Sequence, residues 1–507
     1  LLSYLVKGAA DPERNKMYKS FERRAYELAD MLERAGDLQN DTSFYATSLR
    51  TLQNLHGTQF TLSDLLQEGV NARDIFDAIW LSGAWTVADE TAVANFMANR
   101  EVIENLKCLV LSATTLSAMR YFDIAKYRVL LDNALSDEIK IRVRALVGLI
   151  FVHIAHPERT LLYPEVSTRL RLMLDIPSFA SQLELLQSQL FLSLETKRIE
   201  RNLQEEIIPQ VMKRIEKLHI DRSLGLDEIK DKLSEADLNP EWEEDGHPSK
   251  LAQYMHEFVE LQERGADMYM GSFKVLKQRF SFFNVVCNWF YPFTMNHPEL
   301  PKGLSNIRML KILISRTGLC DSDKYSFCLM TSQMQNNIKA DMQEFMENAG
   351  ALEFTDDVEK DPEFQFKDEL RSYVQGFYRF CNLYLHHEEF FNPFQQNLFL
   401  ADYVPFKQLL DDDDMLLRLA DFVFKDKSFH MALDLYHKLP QDKFTANVYQ
   451  KIGYCYEQIG NAENAINQYE RANLLKPHSK WTIKRLATCA RTTGNYEKAL
   501  DYYTQLE

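Results

Sequence analysis

The sequence predicts an all-α protein built of antiparallel helix pairs that stack as a solenoid. Glycine and proline are scarce, at 17 and 15 of 507 residues, which favours helices joined by short turns. Apolar residues recur at helical spacing through most of the chain, and one unit of 33 to 34 residues is repeated near the C-terminus. With 46% apolar residues, a chain of this length can bury an extended core.

The N-terminal region, residues 1–220, carries a series of amphipathic segments separated by short breaks. They are residues 12–35, 61–80, 87–100, 101–119, 122–135 and 160–174. Between the last two, residues 136–157 place an aspartate before an Ile141-Arg142-x2-Ala145 step and a long apolar face, which resembles the second helix of a HEAT-type pair. A stack of helix pairs explains this pattern, and an irregular helical bundle is the alternative.

Residues 221–250 interrupt the helical pattern. They hold ten acidic and four basic residues, two prolines and little apolar periodicity, so they predict an exposed acidic linker or loop. Helices resume in residues 251–410, where thirteen aromatic residues fall between Phe364 and Phe406. This density favours a packed core where the central helices meet the repeats, because buried aromatic area is strongly stabilising, and a peptide-binding or ligand-binding surface is the alternative.

The C-terminal region, residues 413–507, contains three copies of one unit. A small and an aromatic residue recur at steps of 33 and 34 residues: Ala432, Ala465 and Ala499, and Tyr436, Tyr469 and Tyr503. Small residues at a crossing let two helices approach closely, and large residues beside them fill the remaining space. The repeat therefore predicts short helical hairpins packed side by side.

The middle copy carries the fullest pattern. It reads Tyr449-x2-Ile452-Gly453-x2-Tyr456, then Ala465-x3-Tyr469, then Pro477. This copy closely resembles the tetratricopeptide repeat family, and residues 413–507 as a whole are similar to three such repeats. We expect Gly453 and Ala465 at the crossing of the two helices, Gly460-Asn461 at the turn, and Pro477 at the end of the second helix.

The outer copies depart from this pattern in ways that an array end explains. The first copy has Lys427 where the turn glycine is expected, since a terminal unit meets a different neighbour. Asp411 to Asp414 precede its first helix, where carboxylates favour the positive end of the helix dipole. Glu507 is predicted to fall inside the second helix of the third copy, so that copy is incomplete and the natural protein is expected to continue.

The resemblance implies a non-enzymatic scaffold or adaptor that binds a partner polypeptide on the concave face lined by the first helix of each pair. The residues that the family's pattern places in this groove are Leu417, Asp421 and Phe424, then Asn447, Gln450, Tyr454 and Glu457, then Trp481, Lys484, Thr488 and Arg491. The aromatic members would anchor apolar side chains, and Lys484 with Arg491 would meet a carboxylate. Leu417 and Asp421 stand where the family's chaperone-binding members carry lysine and asparagine, so that chaperone is not the expected partner. Alternatively, the protein's own central helices fill the groove.

The motifs indicate no catalytic site. The sequence contains no GxxxxGK followed by Ser or Thr, no GxSxG and no HExxH. His386-His387-Glu388-Glu389 is the densest set of potential metal ligands, but neighbouring side chains on a helix point about 100° apart and would not share one ion. We therefore predict no catalytic residue, metal or cofactor. The alternative is an enzyme with its site in the aromatic central region and the repeats as a docking arm.

Charge and cysteine use indicate the partner class and the compartment. The net charge of −16 would repel nucleic acid and anionic membranes, so a transcription regulator would need a basic domain outside this sequence. Seven scattered cysteines form no CxxC pair, which fits a reducing compartment, and Cys455 and Cys489 are expected in the repeat core. No apolar run approaches the roughly 18 to 20 residues that cross a bilayer. The sequence predicts a cytoplasmic protein with another protein or peptide as its partner.

Overall fold

A computed structural model describes residues 13–67, 69–202, 270–302, 318–333, 361–410 and 412–506, together with residues 205, 209, 267, 310 and 314. These residues form twenty α-helices and several short 3-10 turns, and none of them lies in a strand. The predicted all-α class is therefore confirmed. The predicted acidic linker, residues 221–250, lies outside the described residues. None of the described helices combines the length and apolar character that a membrane span requires.

The helices are numbered in chain order over the described residues. The N-terminal ten are α1 (Arg14–Gln39), α2 (Phe44–His56), α3 (Leu62–Leu65), α4 (Ala72–Trp80), α5 (Val87–Ala98), α6 (Glu104–Arg120), α7 (Ile124–Asn133), α8 (Ile139–Ala155), α9 (Pro164–Leu174) and α10 (Pro177–Asn202). The central four are α11 (Met270–Arg279), α12 (Val286–Phe290), α13 (Asp321–Gln333) and α14 (Pro362–Leu383). The C-terminal six are α15 (Asp413–Lys425), α16 (Phe429–Lys438), α17 (Ala446–Gln458), α18 (Ala462–Leu475), α19 (Lys480–Thr492) and α20 (Tyr496–Thr504).

The predicted amphipathic segments are helical in the structure. The segment predicted over residues 61–80 is two helices, α3 and α4, and Gly69 between them takes a left-handed φ of +86°. Periodicity did not single out α2 or α10. In the third repeat, α20 ends at Thr504, so the prediction that this helix runs as far as Glu507 is wrong over its last described residues; Glu507 itself is not described.

The chain divides into two compact units. The first unit comprises residues 1–169 and 196–397, and the second comprises residues 170–195 and 398–507. The repeats thus share a unit with residues 170–195, which the sequence placed among the N-terminal helices. The domain boundaries drawn from composition, between residues 220 and 250 and near 410, stay a prediction.

Helix α8 is the central helix of the first unit. Every side chain from Ile141 to Ile154 is buried except Arg142, and α6, α7 and α14 pack against it. A helix that is apolar and buried on all sides has packed neighbours on every face.

Aromatic side chains of α14 pack against this central helix. Phe377 lies edge-to-face on Phe151 and on Phe290, with ring centroids 5.0 and 5.2 Å apart. Phe380 packs on Phe290 at 4.9 Å and is fully buried. Within the first unit, these residues of the aromatic-rich region therefore form core. The predicted place of that core, where the central helices meet the repeats, stays a prediction.

The His386–Glu389 segment has a structural use. The Glu389 carboxylate accepts hydrogen bonds from the Ser43 hydroxyl and from the backbone N–H groups of Phe44 and Tyr45, at 2.7 to 3.2 Å. Glu389 thus caps the N-terminus of α2 from a distant part of the chain. The two adjacent histidines contact different groups, an aromatic ring and a backbone carbonyl. Over the part of the chain that is described, no group of three or more His, Cys, Asp or Glu residues could hold a metal ion.

The last six helices form three hairpins, α15–α16, α17–α18 and α19–α20, whose turns share one geometry. Lys427, Gly460 and Gly494 take left-handed φ values of 60°, 83° and 78°. In each turn the following N–H donates to a carbonyl five residues earlier, as Asn461 does to Tyr456 at 2.8 Å. This pattern satisfies the last carbonyls of the first helix. Lys427 therefore replaces the expected glycine and adopts the backbone conformation that glycine favours.

The close crossing of α17 and α18 requires glycine at position 453. A Cβ added at Gly453 would lie 2.7 Å from ring atoms of Tyr469, so any larger residue would push the two helices apart. Ala465 and Cys455 are also fully buried here, as the sequence predicted. Helix α18 ends at Leu475, two residues before Pro477, which confirms the predicted stop.

The start of the array is also as predicted. The Asp412 carboxylate accepts hydrogen bonds from the backbone N–H groups of Asp414 and Met415, at 3.1 and 3.0 Å, and so caps α15. Within the second unit, Phe191 of α10 stacks on Phe399 with ring centroids 6.2 Å apart. Residues 170–195 thereby extend the apolar core of the repeats.

Candidate protein-interaction groove

The first helices of the three hairpins carry a row of aromatic rings. The ring centroid of Phe424 on α15 lies 5.8 Å from that of Tyr454 on α17. The Tyr454 centroid lies in turn 6.4 Å from that of Trp481 on α19. Phe424 and Tyr454 are half-buried, whereas Trp481 is 43% exposed. These three residues, called the aromatic row below, connect three successive repeats through ring contacts.

Two ion pairs lie beside the aromatic row, and each joins the first helices of neighbouring hairpins. Lys451 Nζ lies 2.6 Å from Asp421 Oδ1, and Arg485 Nη1 lies 3.0 Å from Glu457 Oε1. Lys451 and Arg485 are 34 residues apart and therefore occupy the same position of successive units. The basic partner thus recurs with the repeat, whereas the carboxylates Asp421 and Glu457 are 36 residues apart and lie about one helical turn apart in their units.

A tyrosine hydroxyl from the second helix fixes each carboxylate. Tyr436 donates to Asp421 at 2.6 Å, and Tyr469 donates to Glu457 at 2.8 Å. Burial, together with the neighbouring carboxylate, raises the pKa of Tyr436 and of Tyr469 well above the usual tyrosine range. Both hydroxyls therefore keep their protons and act as donors. The carboxylates are held in place by two partners each.

Arg485 connects the second ion pair to the aromatic row. Its guanidinium lies 5.2 Å from the ring centroid of Tyr454 and 5.2 Å from that of Trp481. A planar cation can stack on aromatic faces while its N–H groups point to a carboxylate. Arg485 therefore orients both rings and neutralises Glu457 at the same time.

The eleven predicted groove residues fall into three sets. Five of them form the row and the acidic half of the ion pairs: Asp421, Phe424, Tyr454, Glu457 and Trp481. Two are engaged inside the second unit, since Gln450 donates to the buried Thr482 hydroxyl at 2.7 Å and Leu417 packs against the apolar core. The other four lie wholly or partly exposed on α17 and α19: Asn447, Lys484, Thr488 and Arg491. Their part in binding stays a prediction.

Sequence reasoning missed the basic half of both ion pairs. Lys451 and Arg485 carry the same charge 34 residues apart, and this recurrence was the signal that could have found them. The repeat pattern by itself gives Tyr436 and Tyr469 a packing role. The structure adds that their hydroxyls hold the groove carboxylates.

The enzyme alternative places a pocket near residues 364–406. Two clefts of the first unit, of about 570 and about 470 Å³, are lined by residues between 63 and 106 and between 34 and 89. A much smaller cavity of the second unit, of about 10 Å³, is lined in part by Phe399 and Ala401, which lie within residues 364–406. Tyr373, Phe377 and Phe394, which belong to the aromatic-rich region of the first unit, are buried against neighbouring side chains. These side chains fill space rather than line a cleft.

Comparison with known proteins agrees with the geometry of the repeats. Residues 446–479 match the family model of the tetratricopeptide repeat. This segment holds α17 and α18, so the middle hairpin is a tetratricopeptide repeat, as the sequence predicted. The chain is also 35% identical over 79 residues to ycf37, an uncharacterized protein of Guillardia theta. That match covers 16% of this chain and 44% of the relative, so the chain spans less than half the length of the relative.

Proposed function

We propose that this chain is a protein-interaction scaffold whose repeats bind a segment of another protein across α15, α17 and α19. The continuity of the aromatic row over three successive repeats carries the proposal, because each ring contacts the next and Trp481 at its end is 43% exposed. Aromatic anchors of this kind dominate the energetics of protein interfaces. The tetratricopeptide match to α17 and α18 supports the same use.

The charges beside the row define the chemistry of the bound segment. Asp421 and Glu457 are already paired with Lys451 and Arg485, so a ligand would not find them as free anions. Lys484 and Arg491 are exposed on α19. We therefore propose a segment that places an apolar side chain against Trp481 and a carboxylate near Lys484 or Arg491. This local positive charge would offset the repulsion expected from a chain with a net charge of −16.

Site-specific photo-crosslinking tests the groove in the full chain. A benzophenone amino acid at the exposed Asn447, on α17, is expected to capture the partner. The same group at the exposed Asn467, on the second helix α18, serves as the matched control and is expected to capture little of it. Equal capture at the two positions would contradict the groove.

A pair of alanine variants then separates the row from the rest of the surface. Trp481→Ala in the crosslinking chain is expected to reduce capture at Asn447 at least tenfold, which corresponds to about 1.4 kcal/mol of lost binding. Tyr496→Ala removes a ring that is 71% exposed on α20, outside the row, and is expected to leave capture unchanged. If Trp481→Ala binds the partner as the parent chain does, the row is not the site.

The proposal places the scaffold in the cytoplasm and gives it no catalytic step. All seven cysteines are free and buried. Free thiols of this number are typical of proteins in a reducing compartment. Burial also raises the pKa of Cys455 to about 12 and that of Cys489 to about 11, so these two thiols are poor nucleophiles.

A further inference from the structure

Helix α1 lies on the first unit with its polar side facing inwards. Its inward contacts come from side chains spaced three or four residues apart: Lys19, Arg23, Tyr26, Asp30, Arg34 and Asp37. The Tyr26 hydroxyl donates to Glu158 at 3.3 Å, and Asp30 pairs with Arg159. Near the other end, Arg34 donates to the Leu81 carbonyl at 3.1 Å. The helix is therefore attached by hydrogen bonds and ion pairs along its length.

The opposite side of α1 is apolar and exposed. The large residues on it are between 42% and 67% exposed: Met17, Phe21, Leu28, Met31 and Leu32. None of the residues of α1 is buried. An amphipathic helix normally turns its apolar stripe to the core, and α1 does the reverse. A continuous exposed apolar stripe of this kind marks an interaction surface.

Four of the five stripe residues have the same spacing in both directions along the helix. Met17, Phe21, Leu28 and Leu32 follow one another at intervals of four, seven and four residues. If a second α1 lies antiparallel on the first, Met17 of one copy meets Leu32 of the other, and Phe21 meets Leu28. A two-fold axis makes each of these contacts twice, as a self-complementary interface requires.

The exposed charges agree with the same register. In it, position 24 of one copy lies opposite position 25 of the other, so Arg24 lies about 1.5 Å of helix rise from the second copy's Arg24 and about 3 Å of rise from its Glu27. Arg24 and Glu27 are both exposed and, three residues apart, share one flank of the helix. The two-fold axis brings this flank of each copy together, so two attractive Arg24–Glu27 contacts form beside one repulsive contact between the two Arg24 side chains.

We propose that α1 is a self-association surface on which the α1 of a second copy of this chain packs antiparallel through Phe21 and Leu28. This assignment is independent of the repeat groove and would join two grooves in one assembly. A single helix pair buries less than the ~800 Å² per partner of a standard interface, so the association is expected at micromolar concentrations.

Sedimentation equilibrium of the full chain tests the association. The mass is expected to rise from 59.3 kDa towards twice that value as the concentration increases. The double variant Phe21→Ser, Leu28→Ser is expected to stay monomeric. The matched control is Leu172→Ser, Val275→Ser, which changes two other apolar residues, 63% and 67% exposed, and is expected to associate as the parent does. A parent chain that stays monomeric at every concentration overturns the proposal. That result is also the one expected if another segment of this chain or another protein covers the stripe.

Charge reversal tests the register. Arg24→Glu alone and Glu27→Arg alone are each expected to weaken dimerisation severalfold, because each places like charges together. The double reversal is expected to restore it. Loss of dimerisation in the double reversal would contradict this register.

Two single-cysteine variants test the antiparallel geometry. Ala25→Cys lies within about one residue of the two-fold axis and is expected to form a disulfide-linked dimer on mild oxidation. Ala29→Cys, an exposed alanine one turn away, would lie about 13 Å in helix rise from its copy and is expected not to form one. The native cysteines do not interfere because all seven are buried. Equal crosslinking of both variants would reject the arrangement.

Discussion

The two units of this chain differ in the contacts that stabilise each of them. In the first unit, Arg379 lies between Asp267 and Asp323, and Lys277 also pairs with Asp323; the four side chains are 0 to 3% exposed. In the second unit, the side chains of the two ion pairs beside the aromatic row are 16 to 34% exposed. These ion pairs of the first unit are thus buried and join distant residues, whereas those of the second unit are partly exposed and join neighbouring hairpins.

This difference in burial predicts how much stability each unit loses when one partner of an ion pair is removed. Although burial lowers the pKa of Arg379, the charges of Asp267 and Asp323 raise it above its usual value, so the guanidinium stays charged. A buried charge whose partner is removed is costly, because water cannot replace that partner. A partly exposed charge that loses its partner is rehydrated at little cost. Matched substitutions in the two units should therefore differ severalfold in effect.

The largest effect is expected from breaking the buried network. Arg379→Met removes a buried cationic partner from Asp267 and from Asp323, which keeps Lys277, and should lower the free energy of unfolding of the first unit by about 3–5 kcal/mol. Native-state hydrogen exchange of α13 and α14 measures this loss without mixing the two units. The control is Lys451→Met in the second unit, which should cost no more than ~1 kcal/mol. Equal losses would remove the distinction between the units.

The second-largest effect is expected from acid, which should lower the free energy of unfolding of the first unit. Burial lowers the pKa of His153 and of His156 to about 4, with the charge of Arg159 adding to the effect at His156. The unfolded chain has histidine pKa values of about 6.5 and so binds more protons between these values, which means that stability falls as the pH falls through that window. At pH 5 the loss should be about 2 kcal/mol for each histidine.

Exchange in α8 at several pH values between 7 and 5 measures this slope. His153→Gln is expected to flatten it, whereas His437→Gln, an exposed residue of the repeats, is expected to leave it unchanged. A slope that is the same in His153→Gln and the parent chain would show that His153 does not carry it.

A smaller effect tests how strictly the repeats keep their period. Lys427→Gly places glycine where the left-handed backbone favours it and should stabilise the first hairpin by about 1 kcal/mol. Gly460→Lys should destabilise the second hairpin by a similar amount. Exchange in α15 and α17 measures the two changes. A loss of stability in Lys427→Gly would mean that the Lys427 side chain contributes more than its backbone costs.

The smallest effect is expected at the ion pairs of the groove. A double-mutant cycle with Asp421→Asn and Lys451→Met should give a coupling of about 0.5 kcal/mol, because both side chains are partly exposed. The coupling should shrink as salt is added. A coupling of several kcal/mol would show that this pair contributes as much to stability as the buried ion pairs of Arg379 do, which would contradict the comparison.

The two units also differ in how much of their structure the sequence predicts. The contacts of Gly453, Ala465 and Pro477 were predictable because a repeated unit shows which residues face its neighbour. The contacts of Arg379 were not, because Asp267 lies 112 residues away and no local pattern connects them. The repeat pattern also placed the members of the aromatic row and the two carboxylates on the first helices of the hairpins, and their use as a groove stays a prediction. The basic partners, Lys451 and Arg485, do not stand out in the repeat, because equivalent positions hold two different residue types that share only their charge.

Helix α1 shows a second limit. Its amphipathic spacing predicts a helix and an apolar face, and the structure confirms the helix. Spacing alone assigns the apolar face to the core, because that is the usual arrangement. The partners that reverse it, such as Glu158 and Arg159 for Tyr26 and Asp30, lie about 130 residues further along the chain. The docking face therefore depends on tertiary contacts that local spacing does not contain.

The Glu389 cap constrains how the chain emerges from a ribosome. Its partner Ser43 precedes it by 346 residues, and Arg120, which donates to the Glu389 carbonyl at 2.6 Å, precedes it by 269. At translation speeds of roughly 5 to 20 residues per second, α6 would wait on the order of 10 to 50 s for this contact. During that interval the nascent N-terminal helices would expose apolar surface that the finished unit hides. Chaperone protection during synthesis is therefore expected to matter more for the first unit than for the repeats, whose hairpins close between neighbours.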